Sequence, residues 1–178
     1  MQHNFNLKPF SKLERSLQFE LSGNLERLDR MLYVKYILSG DLSTVEIPPL
    51  ATMPTRQNEL WLNTCFEFFI AIPHQTNYWE FNLSPAGHWN IYSFTDYRQG
   101  MEWETAVTQL PFQIQIQDNY CQLTLAFDLS SIITTDTALK VGISAVVKID
   151  RDLVTYWALT HPSTKADFHQ RESFSLDL

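Results

Sequence analysis

Hydrophobic and polar residues alternate with a period of two along much of the chain. Leu17, Phe19 and Leu21 are separated by Gln18 and Glu20, which predicts a first strand with one face in a core and the other in water. Met31–Leu38 carries apolar residues on both faces, which predicts a central strand, and Ser39-Gly40-Asp41 ends it with turn residues. Residues 46–59 contain prolines 48, 49 and 54, which lack a ladder donor, so this stretch is expected to be a long surface loop. Further strands are predicted at Cys65–Ile72, Tyr78–Ser84, Trp89–Phe94, Phe112–Gln117, Cys121–Phe127, Lys140–Ile149 and Val154–Leu159. Ser84-Pro85-Ala86-Gly87-His88 and Asp118-Asn119 supply hairpin turns, so neighbouring strands are mostly antiparallel. Gln113, Gln115 and Gln117 alternate with Phe112, Ile114 and Ile116 and place that strand on an outer sheet surface, where it offers an edge for pairing in a homodimer. Helical periodicity is confined to short pieces such as Asp128–Ile133, with Asp128 as a cap. The expectation is an all-β fold, a two-sheet antiparallel β-sandwich of jelly-roll type, in one domain over residues 1–178.

Composition narrows the function. At 178 residues with 44% hydrophobic, 13% aromatic and 19% charged positions, the chain is neither disordered nor a coiled coil. A formal charge of −7 with 13 scattered Lys and Arg argues against a nucleic-acid partner, which needs clustered cations. No apolar run approaches the length of about 18 residues that a membrane span requires. The start MQHNFNLKPFSKLER is too polar for a signal peptide, so a cytoplasmic protein is expected. Cys65 and Cys121 form no CxxC motif and lie in apolar runs, which favours two buried free thiols.

Strand parity then locates candidate chemistry. Phe66, Phe68 and Ile70 point one way, while Cys65, Glu67 and Phe69 point the other. On the next strand Trp79, Phe81 and Leu83 oppose Tyr78, Glu80, Asn82 and Ser84. If the two strands form a hairpin, Glu67 and Glu80 become cross-strand neighbours, with Asn82, Asn90 or Tyr92 nearby. Carboxylates and amides among aromatic rings suit a sugar, whose C–H face packs on a ring while its hydroxyls need donors and acceptors. The alternative is a structural or protein-interaction domain in which the aromatics are core and the carboxylates are satisfied by Arg98 or backbone amides. Paired carboxylates also serve glycosidases, but no further catalytic signature accompanies them, no GxSxG elbow is present, and no enzyme activity is expected. His161, Asp167 and His169 match no standard metal spacing. The sequence names no cofactor: haem would need axial donors such as His88, His161 or Met101, and calcium is undetermined.

Several words of the sequence, in order, resemble one bacterial family. Leu60-Trp61, Thr64–Phe69 and Tyr78–Trp89, then Tyr92, Asp96–Met101, Tyr156–Leu159, His161-Pro162 and Asp167–His169 look like the DOMON-like proteins related to type 9 carbohydrate-binding modules. The resemblance implies a β-sandwich that binds rather than catalyses, with relatives that hold sugars or haem. Carried over residue by residue, it implies Trp61, Trp89 and Tyr92 as aromatic platforms, and Glu67, Glu80, Asn82 and Arg98 as polar partners of a carbohydrate-like ligand.

Overall fold

A computed structural model describes residues 1–11, 16–134, 136–150 and 153–178, which leaves residues 12–15 of the polar amino-terminal stretch outside the description. The strands are β1 (Gln2–Asn6), β2 (Lys8–Pro9), β3 (Phe19–Leu28), β4 (Met31–Gly40), β5 (Cys65–Ala71), β6 (Tyr78–Leu83), β7 (Trp89–Phe94), β8 (Glu102–Trp103), β9 (Phe112–Gln117), β10 (Tyr120–Asp128), β11 (Lys140–Ile149), β12 (Leu153–Ala158) and β13 (Leu176–Asp177). They form two sheets, one ordered β1-β3-β4-β10-β9 and a larger one ordered β2-β12-β11-β5-β6-β7-β8 with β13 beside β11. Every pair of named strands is antiparallel, and the described residues contain no α-helix. The fold is a two-sheet antiparallel β-sandwich, as the alternation predicts.

Turn chemistry acts where the sequence places it. Asp118-Asn119 closes β9 onto β10 with Gln117 opposite Tyr120. Between β6 and β7, Gly87 adopts φ +93°, a conformation that residues with a Cβ resist. Asp128 accepts from the Ser130 backbone N–H at 3.0 Å and caps the short 3-10 turn Leu129–Ser131. The Gln-rich β9 lies at a sheet edge with Gln113, Gln115 and Gln117 exposed. Three expectations change. Two short strands precede the predicted first one, and β3 continues past Leu21 to Leu28 through the polar run Ser22–Asn24 because β1 and β4 pair along both its edges. β4 is central in its sheet, yet only Leu32, Val34, Tyr36 and Leu38 are buried, and the face that carries Tyr33 is exposed or half-exposed among the described residues. The Pro-rich stretch does not simply run over the surface. It packs against β7, with Arg56 stacked over the rings of Trp89 at 4.4 Å and Trp103 at 5.4 Å.

The core between the sheets is aromatic: Phe68 stacks on Phe81 at 4.2 Å, and Tyr36 reaches across to stack on Phe66 at 5.0 Å. The larger sheet is also covered on its outer face. The segment 166–174 folds back across it and, with the 57–62 segment, buries a second cluster that includes Phe69, Tyr78, Tyr92, Phe94 and Phe174. β5 and β6 are therefore buried on both faces, which explains why their sequences are so densely apolar. Gly142 permits this closure, because a Cβ there would sit 2.8 Å from Cδ1 of Phe174. Gly142→Val is expected to lift the carboxy-terminal segment, lower stability by about 1–3 kcal/mol in urea unfolding, and speed amide exchange at residues 168–174.

Candidate functional site

The outer face of the larger sheet positions the carboxylates. In the β5–β6 ladder Glu67 lies directly opposite Asn82, and Glu80 lies opposite Phe69. Glu67 and Glu80 are thus diagonal rather than facing neighbours, a correction imposed by the six-residue link 72–77 that pairs Ala71 with Tyr78. On β7, Tyr92 faces Glu80 and Asn90 faces Asn82, while on β11 Ser144 lies opposite Glu67. Asn82 donates to Glu80 Oε1 at 2.8 Å. Glu67 is only 3% exposed, and its Oε1 has no hydrogen-bond partner among the described residues.

Above this floor opens a pocket of about 380 Å³ lined by Glu67 and Glu80, by Arg98 and Met101 from the β7–β8 connection, and by Trp61 and Leu62. Phe94, Val146, Val154, Tyr156, Ala166, Phe168 and His169 complete its walls. Trp61 is held by the 3-10 turn Leu60–Leu62 and leans on Tyr92 with ring centroids 5.7 Å apart. Asn58 Oδ1 braces that side by accepting from Tyr92 Oη at 2.9 Å and from Trp103 Nε1 at 2.7 Å. Opposite, Arg98 donates to Asp167 Oδ1 at 2.9 Å, and Tyr97 Oη donates to the other carboxylate oxygen of Asp167. His169 closes the back: its Nδ1 lies 2.8 Å from Tyr78 Oη, which itself accepts the Arg98 backbone N–H at 3.2 Å. The free Tyr78 proton then goes to Nδ1, which leaves Nε2 carrying the ring proton 3.7 Å from Glu80 Oε2.

Burial controls the charge states. Loss of water pushes the Glu67 carboxyl well above the usual range, and the neighbouring Glu80 charge pushes it further. Burial raises Glu80 to about 7 against the opposing pull of Asn82 and Arg98. His169 is lowered to about 4 by burial and by the Arg98 charge, so its ring is neutral at physiological pH. Asp167 behaves oppositely: although burial acts to raise it, hydrogen bonds from Tyr97, Arg98 and the His169 backbone hold it below its ordinary value. The floor is therefore a proton-holding carboxyl pair beside a settled Arg98–Asp167 ion pair.

No family model matches the sequence, and no curated protein matches it. The fold does have a solved counterpart. A "putative carbohydrate-binding protein" from Bacteroides uniformis ATCC 8492 superposes with a TM-score of 0.71 at 13% identity, over 97% of this chain and 84% of that one. At that identity the likeness establishes the sandwich and leaves the ligand to be argued from the site.

Of the seven residues singled out from sequence, Trp61, Glu67, Glu80 and Arg98 line the pocket. Asn82 is fully buried beneath it and orients Glu80. Tyr92 lies on the same face but is only 3% exposed and serves as a support for Trp61, not as an open platform. Trp89 is on the wrong side: three residues before Tyr92 on one strand, it must point to the opposite face, and it is buried between the sheets, as is Trp157. The anticipated satisfaction of the carboxylates by Arg98 also fails, since its guanidinium pairs with Asp167. His161 bonds the Lys8 carbonyl at 2.8 Å, away from Asp167 and His169, and no group of three metal-ligating side chains occurs among the described residues. His88 bonds Thr55 and Gln57, outside the pocket that holds Met101. Both cysteines are free and buried. Sequence reasoning did not assign Asn58, Tyr156 and Phe168 to the site: Tyr156 lies on a strand the alternation predicts, but which residues from the 57–62 and 166–174 segments meet it over the sheet is set by long-range packing.

Proposed function

We propose that this chain is a non-catalytic binding protein for a small, carbohydrate-like ligand, and a DOMON-like relative of the type 9 carbohydrate-binding modules. The observation that carries the reading is the pocket on the outer face of the larger sheet, where aromatic walls surround a buried carboxyl whose Oε1 lacks a partner. A buried polar atom without a hydrogen bond is costly and is relieved by a ligand hydroxyl or similar donor. Trp61, half-buried at the mouth, offers a ring face to an apolar sugar surface. The fold shared with the Bacteroides uniformis protein supports the same class of ligand.

Titration with mono- and disaccharides is expected to shift tryptophan emission and to raise thermal stability by about 1–2 kcal/mol at tens-fold excess over Kd. Trp61→Ala is expected to abolish the emission change and weaken binding about tenfold or more. Unchanged emission and melting temperature across the panel at tens of millimolar would overturn the carbohydrate reading.

A further inference from the structure

The charge balance of the pocket points further, and the argument rests on the pocket being the ligand site. Three carboxyl groups, Glu67, Glu80 and Asp167, stand around it or beside it. Arg98 is the one cationic side chain among the lining residues, and its guanidinium is committed to Asp167. His169 adds no charge because burial keeps it neutral. The other titratable groups facing the pair are acids or weak acids: Cys65 on β5, Tyr78 on β6, Tyr92 on β7, and Tyr36, whose hydroxyl donates to the Glu67 carbonyl at 2.6 Å from the facing sheet. Among the described residues no cation pairs with the floor, since Arg98 acts on Glu80 only from its place on Asp167; one carboxylate oxygen is buried without a partner, and the walls present the rings of Trp61, Phe94, Tyr156 and Phe168.

We propose that the pocket takes a ring compound bearing an ammonium group, such as an amino sugar, with the nitrogen seated on Glu67 and Glu80. An ammonium group supplies the donors that Glu67 Oε1 lacks and the charge that the pair lacks, and aromatic walls favour a cation over a neutral hydroxyl. In the empty site protons hold the place of that cation. When R–NH3⁺ enters, the carboxyl pair releases up to one proton to solvent, so the net charge of the floor is preserved. Affinity for a permanently protonated amine therefore rises with pH through the range in which the pair would otherwise hold its proton, by up to about tenfold per pH unit.

The test uses two matched pairs in calorimetric titrations of the full chain: D-glucosamine against D-glucose, and cyclohexylamine against cyclohexanol, in buffers of different ionisation enthalpy from pH 6 to pH 8. The expected result is a preference of about tenfold or more for the ammonium member of each pair, with proton release on binding of cyclohexylamine. Glu67→Gln is expected to remove most of that preference. Should this variant not fold, proton release and the pH profile of the native chain decide the matter. Glucose binding as tightly as glucosamine overturns the ammonium proposal and leaves the carbohydrate reading standing. Cyclohexylamine binding while both sugars fail supports the ammonium proposal and removes the carbohydrate reading. Absence of binding by all four probes at tens of millimolar overturns both.

Discussion

Phe81→Ala is expected to destabilise the protein by about 3–5 kcal/mol, the cost typical of deleting a fully buried aromatic ring. Phe81 is inaccessible to solvent, stacks on Phe68 at 4.2 Å across the β5–β6 pair, and meets Phe127 of the other sheet edge-on at 5.1 Å. Its removal loses ring burial and the inter-sheet aromatic contact together, and the paired backbones on either side prevent the sheets from closing over the void. For a chain of this length each kcal/mol lowers Tm by roughly 2–4 °C, so a fall of about 10 °C is anticipated in calorimetry. A change of less than about 1 kcal/mol in urea unfolding would mean that this aromatic stack does not hold the sheets together.

Stability should fall as pH rises through neutrality, the reverse of ordinary acid denaturation. Glu67 and Glu80 are both raised above the ordinary value of 4.5, Glu80 to about 7. Above pH 4.5 the unfolded chain releases these protons and the folded chain keeps them, so each retained proton reduces stability by about 1.4 kcal/mol per pH unit. The loss from Glu80 is complete once pH passes about 7. His169, lowered from 6.5 to about 4, works in the other direction: between those values the unfolded chain binds a proton that the folded chain refuses, so stability rises with pH there. One carboxyl is offset by His169 up to pH 6.5, and the other is not. The net expectation is a decline in stability between pH 5 and pH 7, steeper above pH 6.5 where the His169 offset has ended. Glu67→Gln removes one titrating group from a site that desolvates it, and should flatten this slope and leave the variant more stable than the native chain at pH 8. Urea titrations at four pH values check both statements. Native stability that climbs steadily from pH 5 to pH 8, or a glutamine variant weaker than the native chain at pH 8, would refute the assignment of buried, proton-holding carboxyls.

Much of the sandwich was legible because a strand writes its environment into alternate positions. Leu17–Leu21 and Phe112–Gln117 each declare one wet face, and Asp118-Asn119 declares the turn that follows. The same parity rule placed Glu67, Glu80, Asn82 and Tyr92 on one side of a sheet, and the fold keeps them there. Trp89 shows the rule being set aside: its three-residue offset from Tyr92 already assigned it to the other face. The β1 and β2 strands were not legible, because short edge strands depend on neighbours distant in sequence and carry little pattern of their own.

The pleat and the turns, then, are local consequences of which residues stand next to each other, and the sequence alone determined them: two sheets, antiparallel hairpins, and carboxylates set among rings. The one-step diagonal offset of Glu67 from Glu80, the ion pair that takes Arg98 to Asp167, and the return of residues 166–174 over the sheet were decided only in three dimensions. Those features rest on non-local packing and on the exclusion of water. The raised proton affinity of the pocket floor arises from that exclusion, which no stretch of the chain specifies without its distant neighbours.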